Sequence, residues 1–261
     1  MLLVIVGGAA IRLIITDLND TYPDDFCDIL AGEGICDTCV RISLKDIDGR
    51  NMYCDDEAYR IIRDRLSKTD DPTSGLHLTD TGNYHYMSRI FTSFIGECYD
   101  LLLIDHHTDM QEASFGGLLS CGSWAREVLE KDPHLGKLTV IGPEKFEDGG
   151  EEVRICAGSR ELTGRMYKGK GYTDELLPLY ISVDKDVMST DECITNWDQG
   201  DLSLEDLRSL IRSYAEGRTL IGADICGGLS ANDPGYDPQA CTKNLSSDIE
   251  LIKFFKEITE S

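Results

Sequence analysis

Basic residues are scarce in this 261-residue chain. Lys and Arg number 25 against 48 Asp and Glu, which gives a formal net charge of −23 at pH 7. Because proteins bind phosphate backbones and anionic membranes chiefly through Lys and Arg, nucleic acid and membrane surfaces are poor partners for this chain. The same negative charge attracts cations, so carboxylates at fixed spacing are candidates to hold divalent metals. The alternative is a solvated acidic surface.

Long apolar segments are also lacking. No run approaches the ~20 residues that a membrane-spanning helix needs, so we expect no membrane partner. Residues 1–15 are apolar, but Gly7, Gly8 and Arg12 interrupt them, no basic stretch comes first, and a polar segment follows. This arrangement disfavours a secretory signal and predicts a soluble protein of the cytoplasm.

Cysteine is too dilute for a small disulfide-stapled domain, since ten residues are spread over the whole chain. We therefore predict reduced thiols in a cytosol. Cys36 and Cys39 form a CxxC pair with Cys27 and Cys54 nearby, which leaves a structural zinc or redox site as an alternative. No second CxxC completes the usual zinc pattern, so ordinary thiols are the favoured interpretation.

Apolar runs rich in β-branched residues alternate with helix-like segments. The predicted buried strands are residues 13–16, 101–104, 138–141, 153–156, 179–183 and 220–225. The predicted helices are residues 55–67, 86–95, 123–130, 204–216 and 248–258. Ser203, followed by Asp206, is the predicted cap of the fourth helix. This alternation predicts a single α/β domain over residues 1–261, with a mostly parallel sheet between helices in a three-layer α-β-α architecture.

Three ligand-type side chains follow the second predicted strand. In an extended backbone, period-two alternation points Asp105, His107 and Asp109 to one side and turns His106 and Thr108 away. Ligands of parallel sheets bind beyond the carboxyl ends of the strands. The sequence therefore predicts a binding site here, with His106 as a packing residue.

A second group follows the fifth predicted strand, where Asp184 and Asp186 share a side and Lys185 leaves it. A single acidic residue at a strand end is more simply a loop or capping residue. Five such groups behind two strands, however, crowd like charges together, which is costly unless protons or cations relieve it. Because carboxylates dominate and no Cys lies in these clusters, manganese or magnesium fits better than structural zinc. Two such ions about 3.5–4 Å apart can share bridging carboxylates and activate one water.

The two clusters resemble the signature of the arginase and agmatinase superfamily, the ureohydrolases. Its Asp-x-His-x-Asp segment matches residues 105–109, and its Ser-x-Asp-x-Asp segment matches residues 182–186. The family's upstream Gly-Gly-Asp-His segment is matched only at Gly82 and His85. The chain is thus similar to a divergent member of this superfamily, and the likeness implies an arginase-like fold.

The resemblance implies six ligands for two manganese ions (Mn2+) per chain. These ligands are His85, Asp105, His107, Asp109, Asp184 and Asp186. Asp105 and Asp184 would bridge the ions. Asp109 would also be the catalytic residue, accepting a hydrogen bond from the nucleophile and passing a proton to the leaving amine.

The substrate-binding positions depart from the family pattern. Family enzymes that act on guanidines place a Glu where this chain has Gly227, so bidentate pairing with a guanidinium is lost there. A proton-shuttle His of the family falls in the region of Cys121. The candidate substrate contacts are Gln111, Cys121, Asp191 and Asp224, with the two Asp as substitutes for the missing Glu. We expect free L-arginine to be a poor substrate and Gly227→Glu to restore activity on it.

Three further positions carry aromatic or imidazole side chains outside the two motifs. Residues 197–200 begin with Trp197 and either line a pocket or cap a loop. His77 and His134 lack partners at ligand spacing, so both are predicted to be loop or surface residues.

The resulting prediction is a binuclear manganese hydrolase that cleaves a C–N bond of a guanidine-type or related amine substrate with a metal-activated hydroxide. The expected partner is a small cationic amine or guanidine, or a modified peptide side chain, and a homo-oligomer is left open. Two alternatives remain. One is a deacetylase of acetylated amines or polyamines on the related fold, and the other is a non-catalytic metal-binding protein.

Overall fold

The computed structural model describes residues 11–147, 149–233 and 236–260. Its strands are β1 (Arg12–Asp17), β2 (Thr38–Ser43), β3 (Tyr53–Cys54), β4 (Leu76–Leu78), β5 (Tyr99–Ile104), β6 (Leu119–Ser120), β7 (Leu135–Ile141), β8 (Glu151–Ala157), β9 (Arg160–Lys168), β10 (Leu179–Asp184) and β11 (Leu220–Cys226). Its helices are α1 (Phe26–Gly32), α2 (Asp56–Leu66), α3 (Met87–Thr92), α4 (Trp124–Lys131), α5 (Leu204–Ala215) and α6 (Pro238–Glu260). The first ten residues, on which most of the signal-peptide interpretation falls, lie outside the described residues.

Nine strands form one sheet in the order β2-β1-β4-β11-β10-β5-β7-β9-β8. Every pairing from β2 to β7 is parallel, whereas β9 and β8 add an antiparallel hairpin at one edge. The prediction of a mostly parallel sheet is therefore confirmed. Because the parallel strands run the same way, their carboxyl ends meet at one edge of the sheet.

Helices cover both faces of this sheet. Along β5, Leu102 and Ile104 join a core with α1, α5 and α6, whereas Leu101 and Leu103 join a second core with α2, α3 and α4. All four side chains are fully buried, and each such side chain stabilises the fold by about 1.5–3 kcal/mol. The three-layer α-β-α architecture is confirmed.

Some elements differ from their predicted form. The strand predicted as buried at 153–156 is part of β8, an antiparallel edge strand whose side chains are largely exposed along one face. Only one of its faces packs against a helix, α5, so it alternates in polarity rather than being apolar throughout. The short elements α1 and β4 have too few residues for a clear periodic signal and are not predicted. The edge strand β2 is not predicted either, because its sequence is mixed in polarity and none of its side chains is fully buried.

Helix α6 begins at Pro238, ten residues before its predicted start at 248. Its first turns are polar, so they lack the apolar periodicity on which the prediction depended. Pro is well placed there because the first helical residue needs no N–H donor. In the part of the chain that the structure describes, no helix combines the length and apolarity needed to cross a membrane.

The prediction of uniformly reduced cysteines is wrong for one pair. Cys27 and Cys39 form a disulfide, with their Cα atoms 5.5 Å apart, because α1 packs against β2 and brings together residues twelve apart in the chain. The CxxC partner Cys36 is instead a separate buried thiol, and Cys54 is likewise free. No zinc-type grouping of these four cysteines occurs within the described ranges. The disulfide also removes this pair from the argument for a cytosolic location.

Candidate metal-binding active site

Three segments bring six ligand-type side chains together at the carboxyl edge of the sheet. One segment follows β5, one follows its neighbour β10, and one is the short 3₁₀ turn Gly82–Tyr84 beyond β4. The six side chains around one cavity are His85, Asp105, His107, Asp109, Asp184 and Asp186. All are buried except His107, whose side chain is 31% exposed.

The loop after β5 is not an extended strand. Asp105 Oδ1 accepts a hydrogen bond from the backbone N of His107 (2.6 Å), and Asp109 has a φ of +50°, a left-handed conformation that Asp tolerates better than most residues. These three side chains nevertheless line the cavity, while His106 faces a different cleft. The grouping predicted from alternation is present, but a hydrogen-bonded turn produces it.

The loop after β10 turns at once into the 3₁₀ turn Lys185–Val187, where Asp184 Oδ1 accepts from the backbone N of Asp186 (3.0 Å). Lys185 points away from the cavity, and its Nζ lies 2.6 Å from Asp248 Oδ1 of α6. Both side chains of this ion pair are fully buried. The pair therefore ties the loop that carries two acidic groups of the site to the last helix.

His85 is the centre of one half of the cluster. Its Nδ1 lies 2.9 Å from Asp109 Oδ2, 3.1 Å from Asp105 Oδ2 and 3.5 Å from Asp184 Oδ2. Its other nitrogen, Nε2, lies 2.9 Å from Ser182 Oγ. One ring nitrogen thus faces three carboxylates while the other is held from behind.

The bond behind His85 determines which nitrogen carries the proton. Ser182 Oγ donates to Asp224 Oδ1 (2.8 Å), and Ser88 Oγ donates to the same oxygen (2.9 Å). Since the proton of Ser182 is used in this way, Ser182 accepts from His85 Nε2–H. Nδ1 is left facing the carboxylates, which is the orientation in which an imidazole can ligate a metal once that nitrogen has lost its proton.

The cluster is electrostatically strained without a cation. Burial lowers the pKa of His85, but its hydrogen bonds with Asp105 and Asp109 outweigh this and raise the pKa well above its ordinary value. Burial raises the pKa of Asp109. Burial together with the charges of Asp186 and Asp105 raises the pKa of Asp184. These groups therefore retain protons, which a divalent cation would replace.

His107 is the centre of the other half of the cluster. Its Nδ1 lies 3.0 Å from Asp186 Oδ2 and 3.5 Å from Asp105 Oδ1, and its Nε2 lies 3.3 Å from Asp198 Oδ1. Hydrogen bonds with Asp105 and Asp186 raise the pKa of His107 to about 12. A carboxylate such as Asp198 on the outer nitrogen is the usual support of a ligating His.

Two groups of potential ligand atoms share Asp105. One contains His85, Asp105 and Asp109, the other contains Asp105, His107 and Asp186, and the atoms of each lie within 4.8 Å of one another. Oxygen donors outnumber nitrogen donors, so the residues fit hard divalent ions such as Mn2+. A third grouping adds Cys226 to His85 and Asp184; sequence reasoning missed it because Cys226 lies on another strand.

The six side chains lie at the base of a cavity that encloses about 550 Å³, its mouth included. Its other lining residues are Met52, Tyr53, Gly82, Gln111, Ser120, Cys121, Gly122 and Trp197. Trp197 stands close over Gly82, where a Cβ atom would lie 2.6 Å from the indole ring. The indole Nε1 donates to Asn83 Oδ1 (3.1 Å), so Trp197 is a fixed wall of the cavity rather than only a loop residue.

The four candidate substrate contacts divide into two pairs. Gln111 and Cys121 line the cavity, and burial raises the pKa of the Cys121 thiol to about 12. Asp191 is exposed and does not line it, and Asp224 is fully buried behind the cluster. The prediction that Asp191 or Asp224 substitutes for the missing Glu is therefore wrong, because neither side chain reaches the cavity.

The space around Gly227 also differs from what the sequence predicts. Its φ is +89°, and a Cβ atom there would lie 2.4 Å from Asp184 Oδ1 and 2.9 Å from the backbone N of Lys185. Only Gly fits this position. A side chain at 227 displaces Asp184, so Gly227→Glu would disturb the cluster rather than supply the missing contact.

Several supporting residues were not found from the sequence. Trp124 Nε1 donates to Asp109 Oδ2 (2.5 Å), but nothing in its local pattern marks it as part of a site. Ser182 lies within the motif, yet its role depends on Ser88 of α3, a contact between distant segments. His77, predicted as a loop or surface residue, is fully buried in β4 and stacks on Phe91.

No family model matches the chain. An uncharacterised protein of Thermotoga maritima is 33% identical over 153 residues, which is 59% of this chain and 58% of that protein. The match thus spans less than two thirds of that relative.

Solved structures resemble the whole chain. Proclavaminate amidino hydrolase from Streptomyces clavuligerus superposes with a TM-score of 0.60 at 15% identity, over 98% of this chain and 94% of its own. An arginase from Medicago truncatula gives 0.62 at 13% identity, over 97% and 89%. Formimidoylglutamase from Bacillus subtilis gives 0.57 at 14% identity, also over 97% and 89%. The chain therefore has the α/β fold shared by arginases and amidino hydrolases.

Proposed function

We propose that this protein is a divergent ureohydrolase-type enzyme, in which two manganese ions support hydrolysis of a C–N bond. Its fold is that of solved hydrolases whose names describe amidino, formimidoyl and arginine chemistry. The six ligand-type side chains occupy the carboxyl edge of the parallel sheet, where such folds bind ligands.

One observation carries the proposal. His85 turns its Nδ1 toward the oxygens of Asp105, Asp109 and Asp184, because its Nε2–H is committed to Ser182. A ring nitrogen and three carboxylates that face one another repel unless a proton or a metal cation lies between them. Asp105 also joins His107 and Asp186 on its other side, which gives room for a second ion.

The residues around the cavity would have distinct roles in this reaction. When bound, the two ions supply Lewis acidity and a water activated for attack on a planar carbon. Asp109, fixed by Trp124 and His85, has a raised pKa and lines the cavity. Its carboxyl group can therefore hold a proton from the water and pass it to the departing nitrogen. Trp197 forms part of the cavity wall beside these groups.

The experiment is a hydrolysis assay on the manganese-loaded chain against guanidines, ureas and acylated amines, with release of free amine as the readout. Asp184→Ala should abolish turnover, with a loss of at least a thousandfold, whereas His106→Ala, which changes a neighbouring His that faces another cleft, should retain most of it. A chain that holds its metal fully and releases amine from none of these compounds would be a non-catalytic metal-binding protein, and the proposed function would be wrong.

A further inference from the structure

We infer that the cavity accepts an uncharged amide-type group, such as an N-substituted formamide or urea on an apolar body, in preference to a guanidinium. This inference rests on the proposed metal-dependent hydrolysis. It is the charge of the cavity that supports it.

The base of the cavity has no carboxylate to spare once metal is bound. Its acidic groups are Asp105, Asp109, Asp184 and Asp186. All four belong to the group of side chains that would hold two divalent cations, so their oxygens would be directed at the ions. A cationic substrate would therefore find no carboxylate at the base that is free to pair with it.

The walls carry no charge either. Apart from the six ligand-type residues, every described residue that lines the cavity is Met, Tyr, Gly, Gln, Ser, Cys or Trp. Two further acidic groups that contact the cluster or the residues behind it are already engaged: Asp224 by Ser88 and Ser182, and Asp198 by His107. Position 227 cannot supply a carboxylate, because Asp184 occupies the space of any side chain there.

Burial of a guanidinium in such a cavity is unfavourable. A cation removed from water is stabilised only when a carboxylate pairs with it, and the described lining offers none beyond the metal-binding group. A neutral amide loses far less hydration on entry. Its uncharged carbonyl oxygen can also accept a hydrogen bond or contact a bound metal ion.

The mouth of the cavity favours a neutral amide in a second way. The amide of Gln111 has no hydrogen-bond partner among the described residues, and its backbone N is held by the carbonyl of Gly122 (3.0 Å). A carboxamide offers one donor and one acceptor side, which complement the same groups on a substrate amide or urea. Met52, Tyr53 and Trp197 supply apolar surface for the remainder of the substrate.

The reaction is a simple hydrolysis. The oxygen of water forms a bond to the carbonyl carbon, the C–N bond breaks, and the nitrogen leaves as an amine after it gains a proton. No oxidant, reductant or second substrate is needed.

The test uses three compounds with the same benzyl body on the manganese-loaded chain: N-benzylformamide, benzylurea and benzylguanidine. Binding is measured by calorimetry and cleavage by release of benzylamine, the amine common to all three. We expect at least one neutral compound to bind at least tenfold more tightly than benzylguanidine, which is charged. Equal or tighter binding of benzylguanidine, or no binding of either neutral compound, would overturn the inference.

The two readouts separate this inference from the proposed function. Tighter binding of the neutral compounds without release of benzylamine from any of them would refute hydrolysis and support the inference. Cleavage of benzylguanidine in preference to the neutral compounds would support hydrolysis and overturn the inference.

A matched pair of variants tests the role of the wall charge. Gln111→Glu places a carboxylate at the cavity and should reduce the preference for neutral compounds at least tenfold. Ser114→Glu adds the same charge on the same exposed loop but outside the cavity lining, so it should leave the preference unchanged. An equal effect of both variants would show that general charge, rather than the cavity wall, governs selection.

Discussion

His85 and Ser182 are joined through the imidazole nitrogen that faces away from the cavity, with Nε2 2.9 Å from Oγ. Ser182 in turn donates to Asp224, a carboxylate that is fully buried and whose pKa is raised by that burial. The two hydrogen bonds that link His85, Ser182 and Asp224 fix the ring of His85 with its Nδ1 toward the acidic cluster. A buried Asp with no access to substrate thus supports the site from behind.

Replacement of Ser182 should weaken metal binding more than it weakens the fold. In Ser182→Ala the ring of His85 loses the one partner that Nε2 has among the described residues, and loss of such support typically costs 10–100-fold in metal affinity. Competition titration with a fluorescent chelator measures this. Ser189→Ala, a half-buried serine in the loop that follows the site, is the control and should bind manganese like the parent chain. Equal affinity in Ser182→Ala would mean that the bond does not orient His85.

The ion pair between Lys185 and Asp248 should show strong coupling in stability. Both groups are fully buried, so Lys185→Met leaves Asp248 as an uncompensated charge and should cost about 3–5 kcal/mol. The double variant Lys185→Met, Asp248→Leu removes both charges and should recover most of that loss. The free energies of unfolding in urea of the parent, the two single variants Lys185→Met and Asp248→Leu, and the double variant give the coupling energy. Additive losses would show that the two groups do not depend on each other.

Gly227→Ala should impair the metal site itself. A Cβ atom at 227 collides with Asp184 Oδ1, whereas Gly217 has a similar positive φ of +73° and no atom within 4 Å of its virtual Cβ. Gly217→Ala therefore has the same kind of backbone cost, about 1 kcal/mol, without the collision. Manganese content should fall in Gly227→Ala and stay unchanged in Gly217→Ala. A full complement of metal in Gly227→Ala would contradict the close packing described here.

His77 should make the fold sensitive to acid. Burial lowers the pKa of His77 from 6.5 to about 4, so the unfolded chain binds a proton below pH 6.5 that the folded chain does not. Stability from this group is therefore fully present above pH 6.5 and is lost as the pH falls toward 4. Between pH 7 and pH 4.5 the loss is about 2–3 kcal/mol.

The measurement for His77 is urea unfolding at both pH values. His77→Gln keeps a donor for the carbonyl of Ala223 but cannot titrate, so its stability should fall less with acid than that of the parent chain. His134→Gln changes a partly exposed His and serves as the control. An identical pH dependence in the His77 variant and the parent would show that His77 titrates normally.

The fold was largely predictable because its central strands are mostly apolar. β5, β10 and β11 are buried on both faces, so each reads as a continuous apolar run, and the alternation with helices then requires parallel pairing. β4 was not predictable, since it has three residues and one of them is a His. The disulfide depends on how α1 packs on β2, and sequence spacing does not contain that information.

The site was predictable where its residues are local and not where they are distant. Asp105, His107 and Asp109 lie within five positions of one another, so the pattern groups them even though the loop is not a strand. Asp224 has the right chemistry and lies near the end of a strand beside the site, but its side chain is buried behind the cluster, where it accepts hydrogen bonds from Ser182 and from Ser88 of α3. The uncharged walls are assembled from five separate stretches of the chain, and only the folded chain shows that they face one cavity.

The measurement that tests the central claim most directly is the manganese content of the purified chain after loading and exhaustive dialysis, determined by elemental analysis. The account predicts close to two ions per chain, nearly two in His106→Ala, and close to none in Asp184→Ala, because Asp184 belongs to the cluster and His106 faces another cleft. One tightly held zinc with no second site, or equal loss of metal in both variants, would contradict it.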